Sequence, residues 1–353
     1  MRYACLFIII LLFSCKKHEI VPIPKSNEPV FKITGTIDNM PVSFVAGENN
    51  FKLSNEIITS NGVSIFSARM SNSEQSFEMQ LFDGNIDKSS NRYDSLLQVK
   101  SLSFVPVVSA PLFQITKNDF PNSDQISSIK WTIQNQQDSY INTLQLFNPG
   151  KYTVCAEVSY IDNTRSYLCE EIIAGYKRRS DFNLKLNPVD NVFTVQAQAF
   201  KGTPSSFEWY VDGVRHSSEE NTILIENDNQ QHTVRSKVSF PETYPKEKSL
   251  IVDASGSNKH LYNFGLSEYI SSVFYDFTVN LQYIEKGIIY TSRHEGNTEN
   301  IIRIISSEPY GISDKGNPVY KVKGQVEASL KALSSNVIKP LNLYFTIGIE
   351  IPK

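Results

Sequence analysis

Two cysteines in the middle of the sequence are placed where they could form a disulfide bond. Cys155 and Cys169 lie in alternating apolar and polar segments on either side of an Asp162-Asn163 turn signal, which predicts a β-hairpin. If the hairpin is centred on Asp162, the two cysteines face each other, and directly opposed side chains come close enough for a bridge. Two reduced core cysteines are the alternative. A metal site is disfavoured because no second Cys-x-x-Cys motif or histidine pair lies nearby.

The amino terminus carries a third cysteine with a different chemistry. Residues 1–15 read MRYACLFIIILLFSC, a basic start followed by an apolar run that is about half the roughly 20 residues of a transmembrane helix. Leu12 and Ser14 precede Cys15 in the pattern of a lipidation motif. The segment resembles the signal of a bacterial lipoprotein, which implies cleavage after residue 14 and lipid attachment at Cys15. A signal peptide cut elsewhere, with an incidental thiol, is the alternative.

The residues that follow Cys15 predict a tether. Residues 15–29 contain three prolines, which favour an extended, non-helical spacer. The expected location is therefore the bacterial envelope, anchored through the lipid, with the outer membrane favoured and exposure on the cell surface left open. Export also permits oxidation of Cys155 and Cys169.

Composition limits the remaining possibilities. The chain has 353 residues, which is enough for two or more domains. Charged residues make up 20% of it and the formal net charge is -3, so the sequence lacks the basic field that nucleic-acid binding requires. The 21 phenylalanines and 17 tyrosines, beside only 4 methionines, indicate a β-rich protein.

An internal repeat predicts two copies of one module. The pattern TVxxxVS plus an aromatic residue occurs at 153–160 and again at 233–240, 80 residues later. Trp131 and Trp209 lie at matching distances upstream, each in the middle of an alternating segment. We therefore predict that both tryptophans are core residues of sandwich modules.

The first copy is similar to a known family. Trp131 and the downstream Phe147-Asn148-Pro149-Gly150-Lys151-Tyr152-Thr153-Val154 resemble a PKD domain, a bacterial immunoglobulin-like β-sandwich. The family's Gly-Asp-Gly turn after the tryptophan strand is replaced by Gln134-Asn135-Gln136-Gln137 here and by Asp212-Gly213 in the second copy. The resemblance implies spacer or interaction modules, and it transfers no catalytic residues.

Segments outside the repeat also alternate with the period of two that is typical of strands: 31–37, 63–70, 77–82, 277–283, 319–326 and 343–351. The sequence thus predicts an all-β, multidomain array of β-sandwiches, with two central PKD-like repeats flanked by two further β-domains. The predicted boundaries are a signal peptide at 1–14, the tether at 15–29, an N-terminal β-domain at 30–104, PKD-like domains at 105–178 and 179–256, and a C-terminal β-domain at 257–353.

Motifs for catalysis were sought without result. No GxSxG motif occurs, and the histidines have no metal-binding spacing and are interpreted as surface residues: His18, His216, His232, His260 and His294. The adjacent pairs Glu170-Glu171 and Glu219-Glu220 point to opposite strand faces and are interpreted as surface charges. We expect no enzyme, no metal and no cofactor, although a calcium loop remains an alternative at Asp253 or Asp314.

The leading hypothesis is a membrane-anchored, non-catalytic lipoprotein that binds protein or glycan through its outer domains. Tyr283 and Tyr290 are candidates for stacking on sugar rings if they are exposed on a sheet face, and core packing is their alternative role. Two other functions stay open. One is an envelope scaffold without a soluble ligand, and the other is a hydrolase with an unrecognised site in residues 257–353.

Overall fold

A computed structural model describes residues 29–83, 86, 94–98, 101–107, 110–120, 123–134, 136, 139–189, 192–226, 228–241, 243–253, 275–297 and 300–352. The signal peptide, Cys15 and nearly all of the tether lie outside these residues. The described residues form strands, one helical turn and short 3-10 segments, so the prediction of an all-β protein is confirmed.

The elements are, in chain order, β1 Lys32–Ile37, β2 Met40–Val45, β3 Lys52–Ser60, β4 Val63–Ser71, β5 Gln75–Phe82, α1 Asp94–Leu97, β6 Ser101–Phe104, β7 Phe113–Thr116, β8 Ile126–Ile133, β9 Ser139–Ile141, β10 Thr143–Leu146, β11 Gly150–Tyr160, β12 Arg165–Ala174, β13 Asp181–Val189, β14 Val192–Lys201, β15 Ser206–Val211, β16 Val214–His216, β17 Thr222–Glu226, β18 Gln231–Phe240, β19 Thr243–Asp253, β20 Thr278–Glu285, β21 Ile288–Thr291, β22 Ile301–Ile312, β23 Pro318–Ala332 and β24 Ile338–Glu350. Short 3-10 helices occupy Lys117–Asp119, Ser123–Gln125 and Glu295–Asn297. Among the described residues, no helix has the length and hydropathy needed to cross a membrane.

The two ends of the chain share one sheet, so the prediction of separate domains at 30–104 and 257–353 is wrong. The sheet has 11 strands in the order β2-β1-β24-β23-β22-β6-β20-β5-β4-β3, with β21 pairing to both β20 and β23. Antiparallel pairing joins β1 to β24 and β5 to β20, across most of the sequence. Neither end covers its apolar face alone, and pairing lets both build one core.

That core lies inside the 11-stranded sheet, which folds over so that β24 packs on β3 and β4. Its aromatic centre contains Phe44, whose ring lies 5.2 Å from that of Phe51 and 6.3 Å from that of Phe77, measured between centroids. Aliphatic side chains from β20, β22, β23 and β24 complete it. The opposite side of β22–β24 faces solvent, because the residues of β23 and β24 alternate between buried and exposed along most of their length.

Two smaller modules lie between β6 and β20 in the chain. The first has a four-stranded sheet, β12-β11-β8-β9, and a two-stranded sheet, β10-β7. The second has a four-stranded sheet, β16-β15-β18-β19, and a three-stranded sheet, β13-β14-β17. Both are immunoglobulin-like sandwiches, and the second has the seven strands in two sheets of a constant-type domain.

The structure confirms the internal repeat strand by strand. Trp131 of β8 pairs with Ala156 of β11, and Trp209 of β15 pairs with Ser236 of β18, at the same 80-residue offset seen in the sequence. Both tryptophans are 0% exposed, as predicted. The indole N–H of Trp209 donates to the carbonyl of Glu220 at 2.8 Å, so burial leaves that polar group paired.

The first module docks on the tip of the β3–β4 hairpin. The N–H of Lys151 donates to the carbonyl of Asn61 at 2.7 Å, and the Asn61 amide donates to the Tyr152 hydroxyl at 3.2 Å. A Cβ atom on Gly150 would lie 2.5 Å from Cβ of Asn61, so only glycine allows this approach. The glycine of the Pro-Gly-x-Tyr segment therefore serves a contact between domains.

Candidate functional site

The predicted cysteine pair is bonded in the structure. Cys155 and Cys169 are directly opposed in the β11–β12 ladder and form a disulfide, 14 residues apart in sequence. The bridge closes the hairpin of the first module and reaches no groove, so its role is structural. No group of three or more His, Cys, Asp or Glu side chains among the described residues is arranged to hold a metal ion.

Tyr283 and Tyr290 are not exposed, and the prediction that they could stack on sugars is wrong. They are 3% and 6% exposed, and their ring centroids lie 6.1 Å apart within the core of the large sheet. Lys339 Nζ lies 4.6 Å from the Tyr290 ring centroid and 2.7 Å from Glu285 Oε2. The aliphatic part and the ion pair of Lys339 thus seal this end of the core.

The described histidines are not the solvated surface residues that the sequence indicated. His216, His232 and His294 are all half-buried and hydrogen-bonded. His18 and His260 lie outside the described residues. Half-buried histidines near other polar groups could act in catalysis, so the surroundings of His294 and His232 were decisive.

His294 contacts Ser329 in a way that resembles a nucleophile and its base. The His294 Nε2 atom lies 3.0 Å from Ser329 Oγ. However, the Gly296 N–H donates to His294 Nδ1 at 3.1 Å, so the neutral ring carries its proton on Nε2 and donates it toward Ser329. The Ser329 hydroxyl donates to Asn297 Oδ1. This polarity is opposite to that of an activated serine, and the contact instead ties the residue 292–297 segment to β23.

His232 is held between two carboxylates in the second module. Its Nδ1 lies 2.7 Å from Asp212 Oδ2, and its Nε2 lies 3.0 Å from Asp228 Oδ1. The hydrogen bond with Asp212 raises the pKa of His232, and the hydrogen bonds to His232 lower the pKa of Asp212 and of Asp228. Asp212 also accepts the N–H of Thr233 at 2.8 Å, so the cluster ties the β15–β16 turn to β18.

This cluster predicts a pH-dependent stability of the second module. A histidine whose folded-state pKa is raised stabilises the fold fully below its unfolded pKa of about 6.5, and that contribution is lost as pH rises through the folded-state value. We expect the urea midpoint, followed by tryptophan fluorescence, to be higher at about pH 6 than at about pH 8.5. The H232N variant should lose most of this difference, and an unchanged difference in H232N would contradict the assignment.

Glu170 belongs to a buried charge cluster and is not the surface charge predicted from sequence. Lys248 Nζ lies 2.7 Å from Glu170 Oε1 and 3.4 Å from Asp181 Oδ1, and all three side chains are 8% exposed or less. Arg178 also pairs with Asp181. Because Lys248 lies on β19 and Glu170 on β12, the cluster joins the two modules. Glu171, by contrast, is half-exposed and pairs with Lys151, as expected of a surface charge.

The best-formed open groove lies elsewhere, on the solvent face of β22, β23 and β24. We call it the outer-face groove. It has a volume of about 530 Å³, within the range of small-ligand sites. Its lining residues are Asn300, Ile301, Arg303, Gln325, Val326, Glu327, Ala328, Ser329, Asn342 and Tyr344.

The sheet register sets the outer-face groove in two rows. Arg303 pairs with Gln325, which pairs with Tyr344, so these side chains stand side by side on neighbouring strands about 4.8 Å apart. In the next row, two residues along, Glu327 pairs with Asn342. Small residues continue both rows outward on the neighbouring strands, namely Ser101, Ser103, Thr34, Thr36 and Ser43.

Tyr344 gives the groove its aromatic surface. Its side chain is 58% exposed although it lies in the middle of a strand whose neighbours Leu343 and Phe345 are buried. An exposed aromatic ring between amide and charged groups offers a flat apolar face with hydrogen-bonding partners at its edge. Among the described residues that line the groove, Glu327 supplies the only carboxylate. Glycoside hydrolysis ordinarily uses a pair of carboxylates.

Fold and groove together define an all-β protein in which two immunoglobulin-like sandwiches follow β6 and precede β20 of a larger sheet. No protein-family model matches the sequence, and no curated protein matches it. Among solved structures, the chain is similar to the fibronectin(III)-like modules of Clostridium thermocellum CbhA, with 13% identity over 46% of this chain and 96% of that chain. The TM-score is 0.16, so nothing further rests on this similarity.

Proposed function

We propose that this chain is a lipid-anchored, non-catalytic glycan-binding protein of the bacterial envelope. The observation that carries the proposal is the exposed Tyr344 ring among the polar side chains of the outer-face groove. The apolar face of a sugar ring, made of C–H groups, packs on an aromatic ring, while its hydroxyls reach the amides of Gln325 and Asn342.

The anchor and the modules support the same proposal. The lipoprotein signal and Cys15 would hold the chain at a membrane, and residues 15–29 would separate the folded part from the surface. The two PKD-like modules would act as rigid spacers or interaction surfaces. The unpaired carboxylate of the groove and the unsuitable polarity of the His294–Ser329 contact support binding rather than hydrolysis.

The test compares two tyrosines of equal exposure in binding to polysaccharides. Tyr344 is 58% exposed in the groove and Tyr167 is 59% exposed in the first module. We expect Y344A to weaken glycan binding about 30-fold, as the loss of a central aromatic of about 2 kcal/mol implies. Y167A should bind as the wild type does.

Affinity gel electrophoresis of the soluble ectodomain against neutral and acidic polysaccharides supplies the measurement. Near-identical circular dichroism spectra would show that both variants fold. If Y344A retains wild-type affinity, or if the wild type binds none of the polysaccharides, the proposed function is wrong. Appearance of shortened glycan products would instead favour the hydrolase alternative.

A further inference from the structure

The outer face of the large sheet carries a local excess of positive charge. The whole chain has a formal net charge of -3. On the outer face, however, Arg303 lies in the groove, and Lys323 and Lys32 flank Thr346 in the row beside Tyr344. Glu327 is the opposing charge. The local sign is therefore opposite to the sign of the whole protein.

These cations are also unpaired, unlike others of the same sheet. Lys321 pairs with Glu308, and Lys339 pairs with Glu285. No ion pair within the described part of the chain involves Arg303, Lys323 or Lys32. Arg303 and Glu327 line one groove on adjacent strands without pairing with each other, which leaves both available to a bound molecule.

The donor set fits one class of sugar. A guanidinium presents a planar fork that matches a carboxylate with two parallel hydrogen bonds, and lysines add charge without directional demand. Glu327, which only accepts when ionised, suits the hydroxyls of the same sugar. A polymer of sugar acids combines carboxylates, hydroxyls and apolar ring faces in each repeating unit.

We infer that the outer-face groove binds anionic polysaccharides built from uronic acids, with Arg303 holding a carboxylate while Tyr344 stacks on a neighbouring ring. This inference rests on the proposed function, since it names the class of glycan for the same site. Lys323 and Lys32 extend the positive field along the polymer. Because the protein as a whole is negative, such binding depends on this local field.

The test uses polygalacturonate and alginate, each beside its carboxyl-reduced form, in which the carboxylates are replaced by neutral hydroxymethyl groups. We expect at least one acidic polymer to bind the wild type at least 10-fold more tightly than its reduced form does. The R303Q variant should lose about 10-fold in affinity for the acidic polymer, and added salt should weaken wild-type binding more than R303Q binding. The control is R165Q, because Arg165 is 72% exposed in the first module, away from the groove.

The outcomes separate this inference from the proposed function. If reduced and acidic polymers bind equally and Y344A abolishes both, the uronic-acid assignment is wrong while glycan binding stands. Equal affinity of R303Q and wild type for the acidic polymer would also overturn the assignment. If neither acidic nor neutral polysaccharides bind, both proposals fail.

Discussion

Replacing Lys248 by methionine is expected to destabilise the central modules by about 3–5 kcal/mol, the typical result of leaving a buried charge without its partner. Methionine fills a similar volume, but Glu170 and Asp181 then lose the ammonium that lies 2.7 Å and 3.4 Å from them. Arg178 still pairs with Asp181, so Glu170 carries most of the penalty. The carboxyl of Glu170 will either stay charged at high cost or bind a proton.

The chain provides a specific probe for this effect. Its 2 tryptophans, Trp131 and Trp209, both lie in the central modules, so their fluorescence in urea follows these modules and not the large sheet. As the control, R165Q breaks an exposed 3.1 Å ion pair with Glu157 and should cost about 1 kcal/mol or less. The double variant K248M/E170Q should be more stable than K248M. Equal midpoints for K248M and R165Q would contradict the burial argument.

Removing the disulfide is expected to cost about 3 kcal/mol, the loop-entropy value for a closed loop of this length. Cys155 and Cys169 are 14 residues apart, and the bridge limits the unfolded chain there. In the double variant C155A/C169A, this corresponds to a urea midpoint lower by about 1–3 M, for a denaturant slope of about 1–3 kcal/mol/M.

Reduction of the wild type provides the matching control for the disulfide. It removes the same covalent constraint but leaves the two sulfur atoms in place, so packing changes little. We expect reduced wild type and C155A/C169A to have similar midpoints, both below that of the oxidised wild type. If the oxidised wild type and the double variant unfold at the same urea concentration, the bridge does not stabilise the module.

The sequence was sufficient wherever the signal was local. Alternation with a period of two predicted β1, β4, β5, β20, β23 and β24, because one face of each strand must be apolar to be buried. The Asp162-Asn163 turn set the hairpin register, and that register opposed Cys155 and Cys169. The TVxxxVS repeat predicted two modules built around Trp131 and Trp209, since equivalent core positions require equivalent residues.

The aromatic residue of the groove also had a sequence signal that was missed. Leu341, Leu343, Phe345 and Ile347 mark the buried phase of β24, which places Tyr344 in the exposed phase. Tyr283 belongs instead to β20, where Val279 and Leu281 share its buried face. Comparing the phase of each tyrosine with its apolar neighbours favours Tyr344 over Tyr283, because successive side chains of a strand point to opposite faces.

Contacts between distant segments were decided by the tertiary structure alone. The sequence by itself determined the strands, the repeat, the core tryptophans and the disulfide, all of which follow from local patterns. Only the folded chain joined residues 32–104 with 278–350 in one sheet, buried Glu170 against Lys248 and set Arg303 beside Gln325 and Tyr344. The physical reason is that strand pairing and burial between distant segments depend on which surfaces meet, and the backbone hydrogen bonds that join strands are the same for nearly every residue type.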